Sequence, residues 1–242
     1  MNSINVEINT ISDLAITVTK RIIDANEKTN LIDDPNAGPL QVASALSDFF
    51  QLASGLENQK EEINADTATE LAHYSLDLID RLSYQLRQLD IHDQRDNLAK
   101  IFLHLSAWFI RRGAILDNLS GIADGFANLV NGAKESDQLK ALGTLGDEIM
   151  LSVSSEISLD KDRSDPWRPW RVINLNIGIA ATRSLDPSFM KMIFDKLERR
   201  LPYDLPGFFS DGKRQMISQN VPDEVRSIMN NYADKWPVKA PH

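Results

Sequence analysis

The chain has 242 residues, a formal net charge of −9 at pH 7 and no cysteine. This length suits one large domain or two small ones, and the absence of cysteine excludes disulfides, thiolate metal ligands and a cysteine nucleophile. The acidic balance argues against a general nucleic-acid binder, because phosphate contacts depend on Lys and Arg.

The sequence gives no sign of membrane insertion or secretion. The first ten residues lack a basic region followed by an apolar one, and the longest nearly apolar run, residues 101–110, is too short to span a bilayer. We therefore expect a soluble, cytoplasmic protein that has no membrane contact.

Apolar residues recur at helical spacing along nearly the whole chain, after a segment at residues 4–8 whose alternation could form a short strand. Predicted helices begin near residues 11, 39, 68, 94, 117, 137, 166, 187, 207 and 222. The most apolar of them, residues 97–112, has apolar side chains over most of its circumference, so other elements must surround it. We predict a central core helix with a buried Trp108.

Local signals place several helix starts. A capping box that begins at Thr67 predicts the start of one helix. The dipeptides Asp165-Pro166 and Asp186-Pro187 each combine a good N-cap residue with a proline suited to the first helical position. Both dipeptides therefore predict a helix that begins at the proline.

Glycines mark two further features. Gly113 follows the central helix and is expected to end it. Gly121 and Gly125 lie four residues apart inside the next helix, where glycine weakens helix formation. A glycine in such a position leaves room for a neighbouring element, so we expect another helix to approach closely there.

These patterns predict a predominantly all-α protein of about nine or ten helices, arranged as a bundle or as an α-solenoid of antiparallel helical hairpins. Residues 151–159 and 172–179 also alternate at strand spacing, so a minor β-hairpin is possible there. We favour helices, since Trp170, Ile173 and Ile177 also fit the helical period.

Charge is distributed unevenly along the chain. Residues 1–160 carry 12 Lys and Arg against 25 Asp and Glu, a net charge of −13, whereas residues 161–242 carry 14 against 10, a net charge of +4. The second part is also rich in aromatic residues. We predict an acidic helical part at 1–160 and a mildly basic part at 161–242 that packs on it within one fold.

Three residues suggest one possible chemistry. The pair His92-Asp93, with His73 upstream, is similar to the metal-ligand pattern of HD-type helical phosphohydrolases. In that family the pair follows an apolar run inside a helix, whereas here it follows a polar segment that predicts a turn between helices. A metal-dependent phosphohydrolase is therefore the alternative function, and surface residues beside a helix start are the simpler interpretation.

The candidate binding site is residues 165–171, which combine two tryptophans with two arginines. Trp and Arg are enriched at binding hot spots, and an arginine pair at a helix start suits a carboxylate, a phosphate or an acidic peptide. The predicted site residues are Trp167, Arg168, Trp170 and Arg171. In the structural alternative, the tryptophans pack and the arginines pair with the acidic first part.

With no catalytic motif in view, we predict a non-enzymatic interaction or scaffold protein that binds another protein or an acidic ligand. A regulator that binds a small anion at the same stretch is a further alternative. The expected partner is a protein; no nucleic acid, metal or cofactor is expected, and the sequence does not define the oligomeric state.

Overall fold

The computed structural model describes residues 7–59, 63–161, 163–217 and 220–238. Within these residues the helices are α1 (Ile8–Thr29), α2 (Pro39–Gln59), α3 (Ala65–Gln88), α4 (Arg95–Ile110), α5 (Ser120–Gly132), α6 (Ser136–Leu151), α7 (Ser155–Ser158), α8 (Pro169–Arg183), α9 (Pro187–Arg200), α10 (Leu205–Ile217) and α11 (Asp223–Lys235). The predominantly α-helical class is confirmed, and so is the approximate number, since α7 is a single turn and ten helices are longer. Of the possible strand at residues 4–8, residues 4–6 lie outside the described residues, and Ile8 begins α1.

The possible hairpin between residues 151–159 and 172–179 is wrong, because neither segment forms a strand in the described chain. Residues 172–179 lie inside α8, and residues 151–159 contain the end of α6, the short helix α7 and one isolated β-bridge. Burial explains the outcome: Trp170, Ile173 and Ile177, spaced by three and four residues, are all buried on one side of α8.

Helix α4 lies at the centre of the fold. It contacts α1, α3, α5 and α6, and its Trp108 is 1% exposed, so the predicted core helix and its buried tryptophan are confirmed. The Nε1 atom of Trp108 donates to Oε1 of Glu57 at 2.9 Å, which satisfies the one polar atom of the ring. The helix contacts of α4 join it to the helical hairpins directly before and after its own, so α4 is enclosed by its neighbours in the chain.

Two of the glycine predictions hold in the structure. A Cβ atom on Gly125 would lie 3.1 Å from Cα of Ala99, so a side chain there would press on the backbone of α4. The missing side chain allows α5 to approach α4 closely, as expected. Gly113 has a φ of +86°, a left-handed conformation that favours glycine, and it lies just beyond the end of α4.

The starts of α3 and α9 show one wrong and one correct prediction. Asn64 caps α3, because its Oδ1 atom accepts from the amide of Thr67 at 2.8 Å. Thr67 therefore lies in the first turn of α3 and donates its amide, so it is not the cap that the sequence predicted. Asparagine is at least as good an N-cap residue as threonine, which agrees with this result. At α9 the side chain of Asp186 accepts from the amide of Phe189 at 3.0 Å, with Pro187 at the first helical position, as predicted.

The later helices pack on the earlier ones. Helix α8 contacts α5 and α6, and α9 contacts α8 and α11. Asp147 of α6 forms ion pairs with Lys196 and with Arg200 of α9, the latter at 2.9 Å. The division at residue 160 stays a prediction until the first part is expressed alone. No helix among the described residues has the length and apolar character that crossing a bilayer requires.

Candidate partner-binding site

The predicted stretch at residues 165–171 does not begin with a helix. The amide of Trp167 donates to Oδ1 of Asp165 at 2.8 Å, which closes a turn, and α8 begins only at Pro169. The predicted helix start at Pro166 is therefore wrong by three residues. The cause is Pro169: a proline disfavours helical backbone in the residue before it, and Arg168 accordingly has a ψ of 130°.

Arg168 points into the protein and joins three segments of the chain. Its Nε and Nη2 atoms donate to the two carboxylate oxygens of Asp160 at 2.5 and 3.0 Å, and Nη2 also donates to Asp204 at 2.8 Å. The residue is only 9% exposed. Hydrogen bonding to Asp160 raises the pKa of Arg168 above its usual value, so its charge is permanent. Arg168 is thus an internal anchor that joins the segment just after α7, the start of α8 and the turn before α10.

Trp170 and Arg171 have different surroundings. Trp170 is buried, and its Nε1 atom donates to the carbonyl oxygen of Arg200 at 3.3 Å. Arg171 is half-buried: Nε donates to Oδ1 of Asp204 at 2.5 Å, and Nη1 donates to the carbonyl oxygen of Pro166 at 2.8 Å. Of the four predicted site residues, Trp170 and Arg168 therefore face inward, while Arg171 lies at the edge of the surface.

Trp167 is the member of the predicted site that reaches solvent, with 80% of its surface exposed. Tyr203, which the sequence did not indicate, is 71% exposed. Trp167 directly precedes Arg168 in the chain, and Tyr203 directly precedes Asp204. A buried ion pair joins Arg168 to Asp204. The guanidinium carbon of Arg163 lies 4.1 Å from the centroid of the Tyr203 ring.

We call the residues Arg163, Trp167, Arg171 and Tyr203 the Trp167–Tyr203 patch. It places two exposed aromatic rings and two arginines around a buried network of carboxylates and guanidinium groups. Aromatic and arginine side chains of this kind are suited to binding a partner surface; they are not a general acid, a nucleophile or a metal-ligand set.

Each of the three residues of the phosphohydrolase alternative lies beside a different charged side chain. Nε2 of His73 is 2.9 Å from Oδ1 of Asp117, and Nε2 of His92 is 2.8 Å from Oδ1 of Asp90. Asp93 accepts from Nε of Arg21 at 3.2 Å. Among the residues that the structure describes, no group of three histidine or carboxylate side chains is placed to hold a metal ion.

Comparison of the chain with protein-family models, with curated proteins and with solved structures finds no match. The function is therefore inferred from the chemistry of the residues and from their placement in the fold.

Proposed function

We propose that this protein is a non-enzymatic interaction protein, and that the Trp167–Tyr203 patch binds an acidic segment of a partner protein. The single observation that carries the proposal is the exposure of two large aromatic rings beside one buried ion-pair network. Trp167 and Tyr203 are 80% and 71% exposed, and each is the chain neighbour of a residue in that network.

The exposed rings supply the apolar part of the proposed contact. Trp, Tyr and Arg are the residue types most enriched at the energetic centres of protein interfaces. A tryptophan and a tyrosine have few rotatable bonds for the area that they can bury, so ordering them in a complex costs little conformational entropy. This chemistry favours a partner that brings apolar side chains to the rings.

The buried network supports the proposal by holding the backbone beneath the rings. Arg168 is tied to both Asp160 and Asp204, and Arg171 is tied to Asp204 and to the carbonyl oxygen of Pro166. The turns that carry Trp167 and Tyr203 are therefore cross-linked to each other. A binding surface that is already rigid loses less freedom when a partner binds, which improves affinity.

The local charge favours an acidic partner. The two charged side chains of the patch, Arg163 and Arg171, are both basic, within a protein whose net charge is −9. The side chain of Arg163 is 48% exposed and that of Arg171 is 29% exposed, so each can offer donors at the edge of the patch. Such exposed contacts are screened over about 8 Å at physiological ionic strength, so binding should weaken as salt is added.

A direct test uses two fluorescently labelled peptides with the same leucines, one otherwise rich in glutamate and the other rich in lysine. Fluorescence anisotropy should show salt-sensitive binding of the acidic peptide, and the double variant Trp167→Ser with Tyr203→Ser should abolish it. Leu151→Ser is the matched control, because Leu151 is 72% exposed but lies at the end of α6, outside the patch. Equal binding of both peptides, or unchanged binding by the double variant, would contradict the proposal.

A further inference from the structure

A second surface feature lies away from the Trp167–Tyr203 patch, where the end of α3, the start of α4 and helix α5 meet. A cavity of about 460 Å³ opens there, within the range of volumes typical of small-molecule sites. Its floor consists of the buried apolar side chains Leu86, Ile91, Leu98 and Phe102. The cavity can therefore hold an apolar group out of water.

Two arginines on the rim of this cavity have no carboxylate within ion-pair distance among the described residues. Arg87 has one hydrogen bond, from Nη1 to Oγ of Ser83 at 3.3 Å. Arg95 has one, from Nη2 to Nδ1 of His92 at 2.8 Å. A guanidinium carries five donors, so most of the donor capacity of both side chains is available to a ligand.

The histidine between them has a defined orientation. Because Nδ1 of His92 accepts from Arg95, the proton of the neutral ring belongs on Nε2, which lies 2.8 Å from Oδ1 of Asp90. Asp90 is thus directed toward His92 and does not neutralise either arginine. His92 fixes Arg95 in place beside the cavity.

The other carboxylates at this end of the fold have different surroundings. Asp80 lies on α3, where its charge interacts with that of Arg87 and its Oδ1 atom lies beside Gly121 of the cavity wall. Asp93 accepts from Arg21, and Asp96 accepts from Nδ2 of Asn128 at 2.8 Å. Asp124, which lines the cavity on α5, is exposed and has no hydrogen-bond or ion-pair partner among the described residues. The charged side chains that line the cavity itself are therefore Arg87 and Arg95 on the side of α3 and α4, and Asp124 on α5.

We propose that this cavity binds a small organic monoanion, a carboxylate attached to an aliphatic or aromatic body. The carboxylate would pair with Arg87 and Arg95, since guanidinium groups match carboxylate geometry through paired hydrogen bonds. The apolar body would lie on Leu86, Leu98 and Phe102. Asp124 makes a second negative charge on the ligand unfavourable, which is why a monoanion fits better than a phosphate dianion.

The test compares octanoate with octylammonium, which has the same chain and the opposite charge, by isothermal titration calorimetry on the full chain. Octanoate should bind saturably and octylammonium should bind at least tenfold more weakly. The double variant Arg87→Gln with Arg95→Gln should lower octanoate affinity tenfold or more, while Asp124→Asn should raise it, because it removes the opposing charge.

Arg81→Gln is the matched control, since Arg81 is an exposed arginine of the same helix that does not line the cavity. Its affinity for octanoate should equal that of the original protein. All four positions are exposed, and circular dichroism checks that each variant keeps its helices. The proposal is wrong if octanoate does not bind, if octylammonium binds equally well, or if the double variant and Asp124→Asn leave the affinity unchanged.

Discussion

Replacing Arg168 by methionine tests whether the buried network is the anchor of the Trp167–Tyr203 patch. Methionine keeps much of the arginine volume but removes the charge and all the donors. Asp160 would then retain only Arg163, 4.0 Å away, whereas Asp204 would keep Arg171 at 2.5 Å. The side chains of Asp160 and Asp204 are only 10% and 15% exposed, so water can replace little of what is lost.

The expected cost follows from this geometry. Breaking a buried ion pair by removing one partner typically destabilises a protein by about 3–5 kcal/mol. Because each aspartate keeps a second arginine, we expect the lower end, about 3 kcal/mol. For a chain of this length each kcal/mol lowers the melting temperature by about 2–4 °C, so Arg168→Met should melt about 6–12 °C lower.

Arg171→Met provides the comparison within the same network. Its side chain is 29% exposed and Asp204 would keep Arg168, so the loss should be about 1 kcal/mol and about 2–4 °C. Thermal melts followed by circular dichroism measure both variants. Adding Asp160→Asn to Arg168→Met should recover part of the loss, because it removes the carboxylate that has lost its main partner. Equal, small shifts for the two arginine variants would refute the anchoring role of Arg168.

Three further predictions concern the fold. Trp108→Ala should lower the free energy of unfolding by about 3–5 kcal/mol in chemical denaturation, because it removes a buried ring and leaves a cavity; a loss below about 1 kcal/mol would contradict the central role of α4. Burial, with the charges of Lys100 and Arg111, lowers the pKa of His104, so the unfolded chain binds this proton more readily. The free energy of unfolding should therefore be unaffected by His104 above about pH 6.5 and should decrease as the pH falls toward the lowered pKa of this residue. In chemical denaturation, His104→Gln should lose less stability between pH 7 and pH 5 than the original protein does. A fragment of residues 1–160 should aggregate in size-exclusion chromatography, since it exposes the α5 and α6 surfaces that contact α8; a cooperative, monomeric fragment would show that it is a separate domain.

The core could be predicted from the sequence because local patterns encode burial. Helix α4 is apolar on nearly every side, and such a helix must be surrounded by other elements. The close approach of α5 to α4 could also be predicted, because Gly125 weakens the helix that contains it and leaves room for a neighbour. The structure shows this approach at Ala99. In both cases the relevant information lies within one helix.

The binding patch could be predicted only in part, because its composition depends on contacts between distant segments. The stretch around Trp167 can be identified from its residue types, yet one of the two carboxylates that hold Arg168 inward is Asp204, which lies 36 residues away. Tyr203 is brought into the patch by that same contact, because it is the chain neighbour of Asp204. The sequence also could not place the start of α8, since Pro166 and Pro169 each fit a first helical position and only one can be used.

The most direct test of the proposed function places a photo-crosslinking amino acid at position 167, and separately at position 203, in the full chain within its native host. The account predicts that both positions cross-link to the same partner protein, that the captured segment is acidic, and that a crosslinker at the exposed position Leu151 does not capture it. If positions 167 and 203 give no more cross-linked product than position 151, the Trp167–Tyr203 patch is not the partner-binding surface.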